Sequence, residues 1–201
     1  SKLHDVRVES GWKTDIKGAD QSALDSYMLK TYLSVVPEWA YRDKGKSTNF
    51  VQSSNTSIDL KGGLVNEDLY NALTTFSKQT GYNVCATMKR GTTRNGEKDS
   101  KKSQHYKGNA IDFYMTDGNG NYLSPEETAD LAYQSRLFNG IEISRTPGVG
   151  SFVHVDLRSS HKPENPVLFE QVSKNPYKYK YGDESEYWKT YKEGKYIKYP
   201  K

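Results

Sequence analysis

SQHYKGNAIDFYM, residues 103–115, decides how this chain reads. Ala110, Ile111, Phe113 and Met115 describe a β-strand, and Asp112 stands inside it. A carboxylate in an otherwise apolar strand is costly unless it is paired or coordinates a metal. His105 stands seven residues before Asp112, where a polar loop meets the strand. Gly108 lies between them and permits a tight bend that turns both side chains toward one point. A further strand, within SFVHVDLR (151–158), carries His154 at its centre and poses the same problem. Two strands, each with an ionisable residue facing inward, are well explained by a shared cation. Two imidazoles and a carboxylate suit zinc and leave a fourth position for water, as catalytic zinc sites do. Taken alone, either His is more often a hydrogen-bonded structural residue than a ligand.

The surrounding segments supply an α+β frame. Asp20 starts a helical stripe of Ala23, Tyr27, Leu29, Leu33 and Val36 that Pro37 ends, and residues 42–63 read mostly as loop. Asn66 caps a second helix, Leu69, Leu73 and Phe76 share one of its faces, and Gly81 stops it. Tyr82–Met88 is a short apolar run of strand length, followed by the long polar loop 91–106. Asp117-Gly118-Asn119-Gly120 is a turn; it begins like a calcium loop but lacks the required Gly and the closing Glu. Ser124, Pro125 and Glu127 open a third helix with a capping box, which runs to Asn139-Gly140. Ile141–Ser144 and Phe152–Leu157 are two more strands, joined as a hairpin across 145–150. The expectation is a small antiparallel sheet of about four strands with helices packed against it and a single zinc site at the sheet. Three regions are expected: an N-terminal helical and loop region (1–65), a core (66–161) and a Tyr-rich C-terminal arm (162–201).

Composition narrows the classes. The chain has 201 residues, a hydrophobic fraction of 34% and 16 Tyr, so its apolar surface is strongly aromatic. Mean hydropathy is −0.90, and no apolar run is long enough for a transmembrane helix. The chain opens at Ser1 without Met or the basic-then-apolar build of a signal peptide, so a processed or excised chain is expected. Cys85 is the single cysteine, which excludes an internal disulfide and a cysteine-based zinc site; in YNVCATM it reads as a buried, inert thiol. Seven Lys or Arg fall within 89–107 and suit an anionic polymer, but no nucleic-acid motif accompanies them. In the arm, Tyr177, Tyr179 and Tyr181 alternate with Lys as in an exposed strand, and Tyr187, Trp188 and Tyr191 form one face of a helical turn. Such an arm packs on the core or binds carbohydrate through its rings.

SQHYKGNAID matches the S-x-H-x-x-G-x-A-x-D motif and so resembles the zinc-dependent D-alanyl-D-alanine peptidase family. FVHVDLR is similar to the downstream H-x-D segment of that family's short, wall-peptide-cleaving branch, and ATMKR (86–90) stands where the family has a strand ending in a substrate-binding Arg. The resemblance covers about residues 80–158. It implies one catalytic Zn2+ held by His105, Asp112 and His154, and hydrolysis of stem peptides or cross-links in bacterial peptidoglycan by a zinc-activated water. Arg90 would clamp a terminal carboxylate or the developing oxyanion. Several branches carry Glu three residues before the last His, where this chain has Ser151. Asp156 is the first candidate for general base, since i and i+2 on a strand share a face, and Glu142 on the preceding strand is the reserve. Asp156 alternatively orients His154 or pairs with Arg158. Ser103 and Gln104 are candidates for bonding the loop near His105, and His161 could approach the site, although an exposed His followed by Lys-Pro is usually incidental. The expected partners are peptidoglycan peptides, with no nucleic acid and no membrane, and the expected protein is an extracytoplasmic monomer. The competing expectation is a zinc-containing wall-binding module of the same fold without turnover.

Overall fold

A computed structural model describes residues 50–51, 57–88, 91–92 and 102–192. The expected helix at 20–36, Arg90 and most of the 91–106 loop lie outside the described residues.

Short strands β1 (Phe50–Val51), β2 (Ile58–Asp59) and β3 (Val65–Asn66) lead into helix α1 (Glu67–Thr80). The Asn66 side chain accepts from Leu69 N, and Gly81 closes the helix in the left-handed conformation at φ 76. Both caps stand where the sequence puts them. Strands β4 (Asn83–Ala86) and β5 (Ala110–Thr116) follow, then helix α2 (Pro125–Ser135) behind its Ser124 cap. Helix α2 ends at Arg136, which takes φ 54, a few residues before the expected Asn139-Gly140 stop. Strands β6 (Gly140–Ser144) and β7 (Phe152–Asp156) form the expected hairpin. Strands β8 (Val167–Lys174) and β9 (Tyr177–Tyr181), a 3-10 turn at Gly182–Glu184 and helix α3 (Glu186–Lys192) complete the described chain.

The class is α+β, but the sheet is larger than expected and mixed. Among the described residues it has seven strands in the order β2-β4-β5-β7-β6-β8-β9. Pairs β2/β4 and β6/β8 are parallel and the others antiparallel. The expectation of four antiparallel strands fails at both ends of the sheet. Two-residue β2 carries too little alternation to be seen, and β8 and β9 come from the segment read as an arm. That arm is pinned to the core: Trp188 is fully buried in the core cluster, Tyr187 donates to Glu126 O (3.0 Å), and Tyr191 donates to Asp130 Oδ1 (2.8 Å).

Alternation along the strands sorts the side chains. Ile111, Phe113, Met115, Val153, Val155, Ile141 and Ile143 join one buried cluster with Leu73 and Phe76 of α1, Ala129 of α2 and Trp188 of α3. The residues between them, Asp112, His154, Asp156 and Glu142, point to the other face. They are buried, as the sequence implies, but on the side away from the helices, where the turns of 102–108 bring His105 over the sheet.

Candidate metal centre

The sheet register lines up the polar residues. Asp112 stands opposite His154, His154 opposite Glu142, Glu142 opposite Phe169, and Phe169 opposite Tyr181. His105 reaches this row from the preceding turn, and each position of the motif has a local reason. Ser103 Oγ accepts from His105 N (3.3 Å), and Gly108 takes φ 71, closing the turn with its N–H on His105 O (3.1 Å). Gln104 contributes through its backbone carbonyl, which accepts from Asn109 N (2.9 Å). The turn is fastened to α1, since Asn66 N donates to Gly108 O (2.8 Å) and the Asn66 side chain donates to Asn109 Oδ1. Ala110 is fully buried where the strand begins.

His105 Nε2, Asp112 Oδ1 and His154 Nδ1 converge, with separations of 3.1, 3.2 and 2.9 Å. All three residues are buried. The atoms behind them fix which ring nitrogens carry hydrogen. His105 Nδ1 lies 2.9 Å from Thr92 O, and His154 Nε2 lies 2.9 Å from Asp156 Oδ2. A carbonyl and a carboxylate accept and do not donate, so those nitrogens are the donors. In the neutral rings, Nε2 of His105 and Nδ1 of His154 are then acceptors, and both face a carboxylate oxygen. Three acceptors at this spacing repel one another unless a cation lies among them. Donors at about 2.1 Å in a tetrahedral site stand about 3.4 Å apart, close to the spacing seen. The group can hold one metal ion.

Without a metal, charge is balanced by protons. Burial lowers the pKa of His154, but hydrogen bonds to Asp112 and Asp156 and their charges outweigh it and raise the value to about 10. Burial raises that of Asp112, yet the two histidines hold it well below the usual carboxylate range. Asp156 is also held low: burial opposes ionisation, and the bonds from Arg158 and His154 overcome it. Arg158 donates to Asp156 through Nε (2.8 Å) and Nη2 (2.5 Å), and lies 5.1 Å over the Phe169 ring. Gly140 makes this pair possible, since a Cβ there would lie 2.6 Å from Asp156 Oδ1 and 2.7 Å from Arg158 Nε.

No family model, curated protein or solved structure matches this chain. The site is therefore read from its own chemistry. An open cleft of about 920 Å³ exposes His105, Asp112, His154 and Glu142 together with Arg158 and Tyr179. Asp156 is fully buried and lies behind the His154 ring, where it accepts from His154 Nε2. Glu142 faces the cleft, and burial pushes its carboxyl up to about 7, with the charge of His154 pulling it down and those of Asp112 and Asp156 adding to the rise.

The weaker sequence candidates fall away from this cluster. His161 bonds neighbouring Ser160 through Nδ1 (2.9 Å). Asp117 accepts from Asn119 N and Asn121 N, a local turn between strand and helix. Cys85 is half-buried where the sequence suggests full burial, and desolvation raises its pKa. Two contributors escape the sequence reading: the Thr92 carbonyl, which any residue could supply, and Gly140, which reads there as a helix stop.

Proposed function

We propose that the protein is a zinc peptidase that hydrolyses peptide bonds in bacterial peptidoglycan stem peptides or cross-links. The observation that carries the reading is the meeting of His105 Nε2, Asp112 Oδ1 and His154 Nδ1 beside Glu142 in an open cleft. Two imidazoles and one carboxylate are the donors zinc takes in catalytic sites, where three protein ligands leave a position open. The peptide-bond chemistry rests on the resemblance of the His105–Asp112 and His154 segments to wall peptidases. A substrate of that kind implies work outside the cytoplasm, and the Lys102 and Arg158 side chains in the cleft suit an anionic wall peptide.

Zinc, when bound, lowers the pKa of a water toward 7 and polarises the scissile carbonyl. Glu142 takes the proton from the attacking water and hands it to the leaving amine. Its position in the cleft favours it over Asp156, which has no open path to the substrate. Asp156 instead holds the His154 ring, with Arg158 fixing the carboxylate in turn. Arg90 is the proposed clamp for a substrate carboxylate, by resemblance alone.

The test is digestion of purified muropeptides and cross-linked sacculi by the zinc-loaded protein, read by mass spectrometry. New termini within stem peptides or cross-links are expected, together with their loss in Glu142→Gln at full zinc occupancy. Ser151, in the place of a Glu in several family branches, favours the second reading, a wall-binding module without turnover. Wall and zinc binding with no product from any stem or cross-linked peptide would establish that second reading.

A further inference from the structure

We propose that Tyr177, Tyr179 and Tyr181 form a saccharide-binding platform for the glycan strand that carries the cleaved peptide. The proposal rests on the peptidase reading for the identity of the polymer, but the platform stands on its own observations. Among the described residues, five large hydrophobic side chains are exposed, and three of them are these tyrosines, at 64%, 40% and 50%. Strand alternation puts all three on the face of β9 that carries the metal cluster, because Tyr181 continues the row Asp112–His154–Glu142–Phe169. Tyr177 and Tyr179 line the same cleft as His105, Asp112 and His154. The platform is therefore one wall of the site.

Ring packing holds it in place. Tyr181 stacks on Phe169 at 5.4 Å with planes 19° apart, and Tyr179 meets the same ring edge-on at 6.0 Å. Phe169 in turn packs against His154 at 5.9 Å and under Arg158 at 5.1 Å. Rings ordered before a ligand arrives cost little conformational entropy on binding.

The composition of the stripe selects the ligand. It contains tyrosine without exposed aliphatic neighbours on β9, so it offers flat apolar faces edged by wet hydroxyls. A pyranose matches that surface: its axial C–H face lies on a ring while its equatorial hydroxyls bond to phenols and water. The lysines of β9 stand on the other face, where Lys180 borders a separate cleft with Glu126, Glu170 and Glu186. The β9 lysines therefore do not recruit the ligand to the tyrosine side, whereas Lys102, Lys174 and Arg158 in the cleft suit the peptide that the sugar carries. Scale fits as well. Three strand spacings separate His154 from Tyr181, about 14 Å, which is the reach of about four residues of extended peptide. A sugar held on the tyrosines would place a bond some four residues along its attached peptide at the cluster.

The test uses the full zinc-loaded chain and peptide-free glycan strands prepared by amidase digestion, with binding measured by calorimetry. Wild type is expected to bind, and Tyr177→Thr/Tyr179→Thr/Tyr181→Thr to bind at least about tenfold more weakly, with threonine chosen to keep strand propensity. Circular dichroism and zinc affinity verify that the variant folds. The ratio of kcat/KM on sacculi to kcat/KM on sugar-free stem peptides is expected to fall about tenfold in the same variant. Lys178→Ala/Lys180→Ala is expected to bind glycan as wild type does. Absence of glycan binding by wild type, equal binding by the tyrosine variant, a folded variant that loses both substrates equally, or dependence on the lysines would each overturn the platform. Glycan binding without turnover of any peptide would overturn the peptidase reading and leave the platform standing. Turnover without glycan binding would do the reverse.

Discussion

On the helix side of the sheet, Ile111, Phe113, Val153 and Val155 are sealed against α1, α2 and α3, whereas one residue along the same strands Asp112, His154 and Asp156 are buried among polar partners, the first two at the edge of the cleft. The two faces carry different obligations. On the apolar face any side chain of suitable size and shape serves, and loss of volume is what costs. On the polar face each atom needs a particular partner, because a buried donor, acceptor or charge left alone is expensive. A one-residue slip in register would exchange the two faces, so the alternation that builds the core also aims the candidate ligands.

The largest expected effect separates chemistry from scaffolding within the polar face. Glu142→Gln should lower kcat by about a hundred- to ten-thousand-fold, the range for a general base, with zinc content unchanged. Steady-state kinetics on muropeptides beside metal analysis will read this, and retained turnover would remove Glu142 from that role. On the apolar face, Trp188→Ala should cost about 3–5 kcal/mol in denaturant unfolding, through lost packing and the lost bond to Phe169 O. A cost below about 1 kcal/mol would mean that α3 is not integral to the core. Asp156→Asn should weaken zinc affinity about 10- to 100-fold while leaving turnover measurable at saturating zinc, the mark of a residue that orients a ligand. Turnover lost as steeply as in Glu142→Gln would return Asp156 to proton transfer.

Smaller effects probe the fit between strands. Gly140→Ala drives a methyl into the Asp156–Arg158 pair and should cost about 1–3 kcal/mol, while Gly118→Ala, with nothing within 4 Å, should leave stability nearly unchanged. Equal midpoints in urea for the two variants would contradict the tight approach. The smallest effect is electrostatic and belongs to the metal-free protein. His154 has its pKa raised from 6.5 to about 10. The folded state then holds the proton more tightly than the unfolded chain, so its contribution is fully present below about pH 6.5 and is lost as pH rises through about 10. The stability difference between metal-free wild type and His154→Gln should shrink across that window, and a difference that grows with pH would reverse the assignment.

Much of this was legible because the residues involved announce themselves locally. Asn66, Gly81, Ser124 and Pro125 act within one turn of chain, and a strand with Asp112 or His154 among apolar neighbours violates its own pattern visibly. The sheet edges were not legible. Two-residue β2 has no period to detect, and β8 and β9 pair with β6 through contacts far along the chain that no spacing reveals. The candidate bases divide for the same reason. Asp156 and Glu142 look alike as carboxylates in strands, and what separates them is depth: one is sealed behind the His154 ring, the other opens to the cleft. Gly140 is the sharpest omission, since its meaning lies in the pair on the neighbouring strand that it leaves room for.

The proposed function requires His105, Asp112 and His154 to hold one zinc ion. Crystals of the zinc-loaded protein, measured on either side of the zinc absorption edge, test it directly. One anomalous peak is expected about 2.0–2.2 Å from His105 Nε2, Asp112 Oδ1 and His154 Nδ1. An empty position there, or a peak that avoids any of the three atoms, would contradict it.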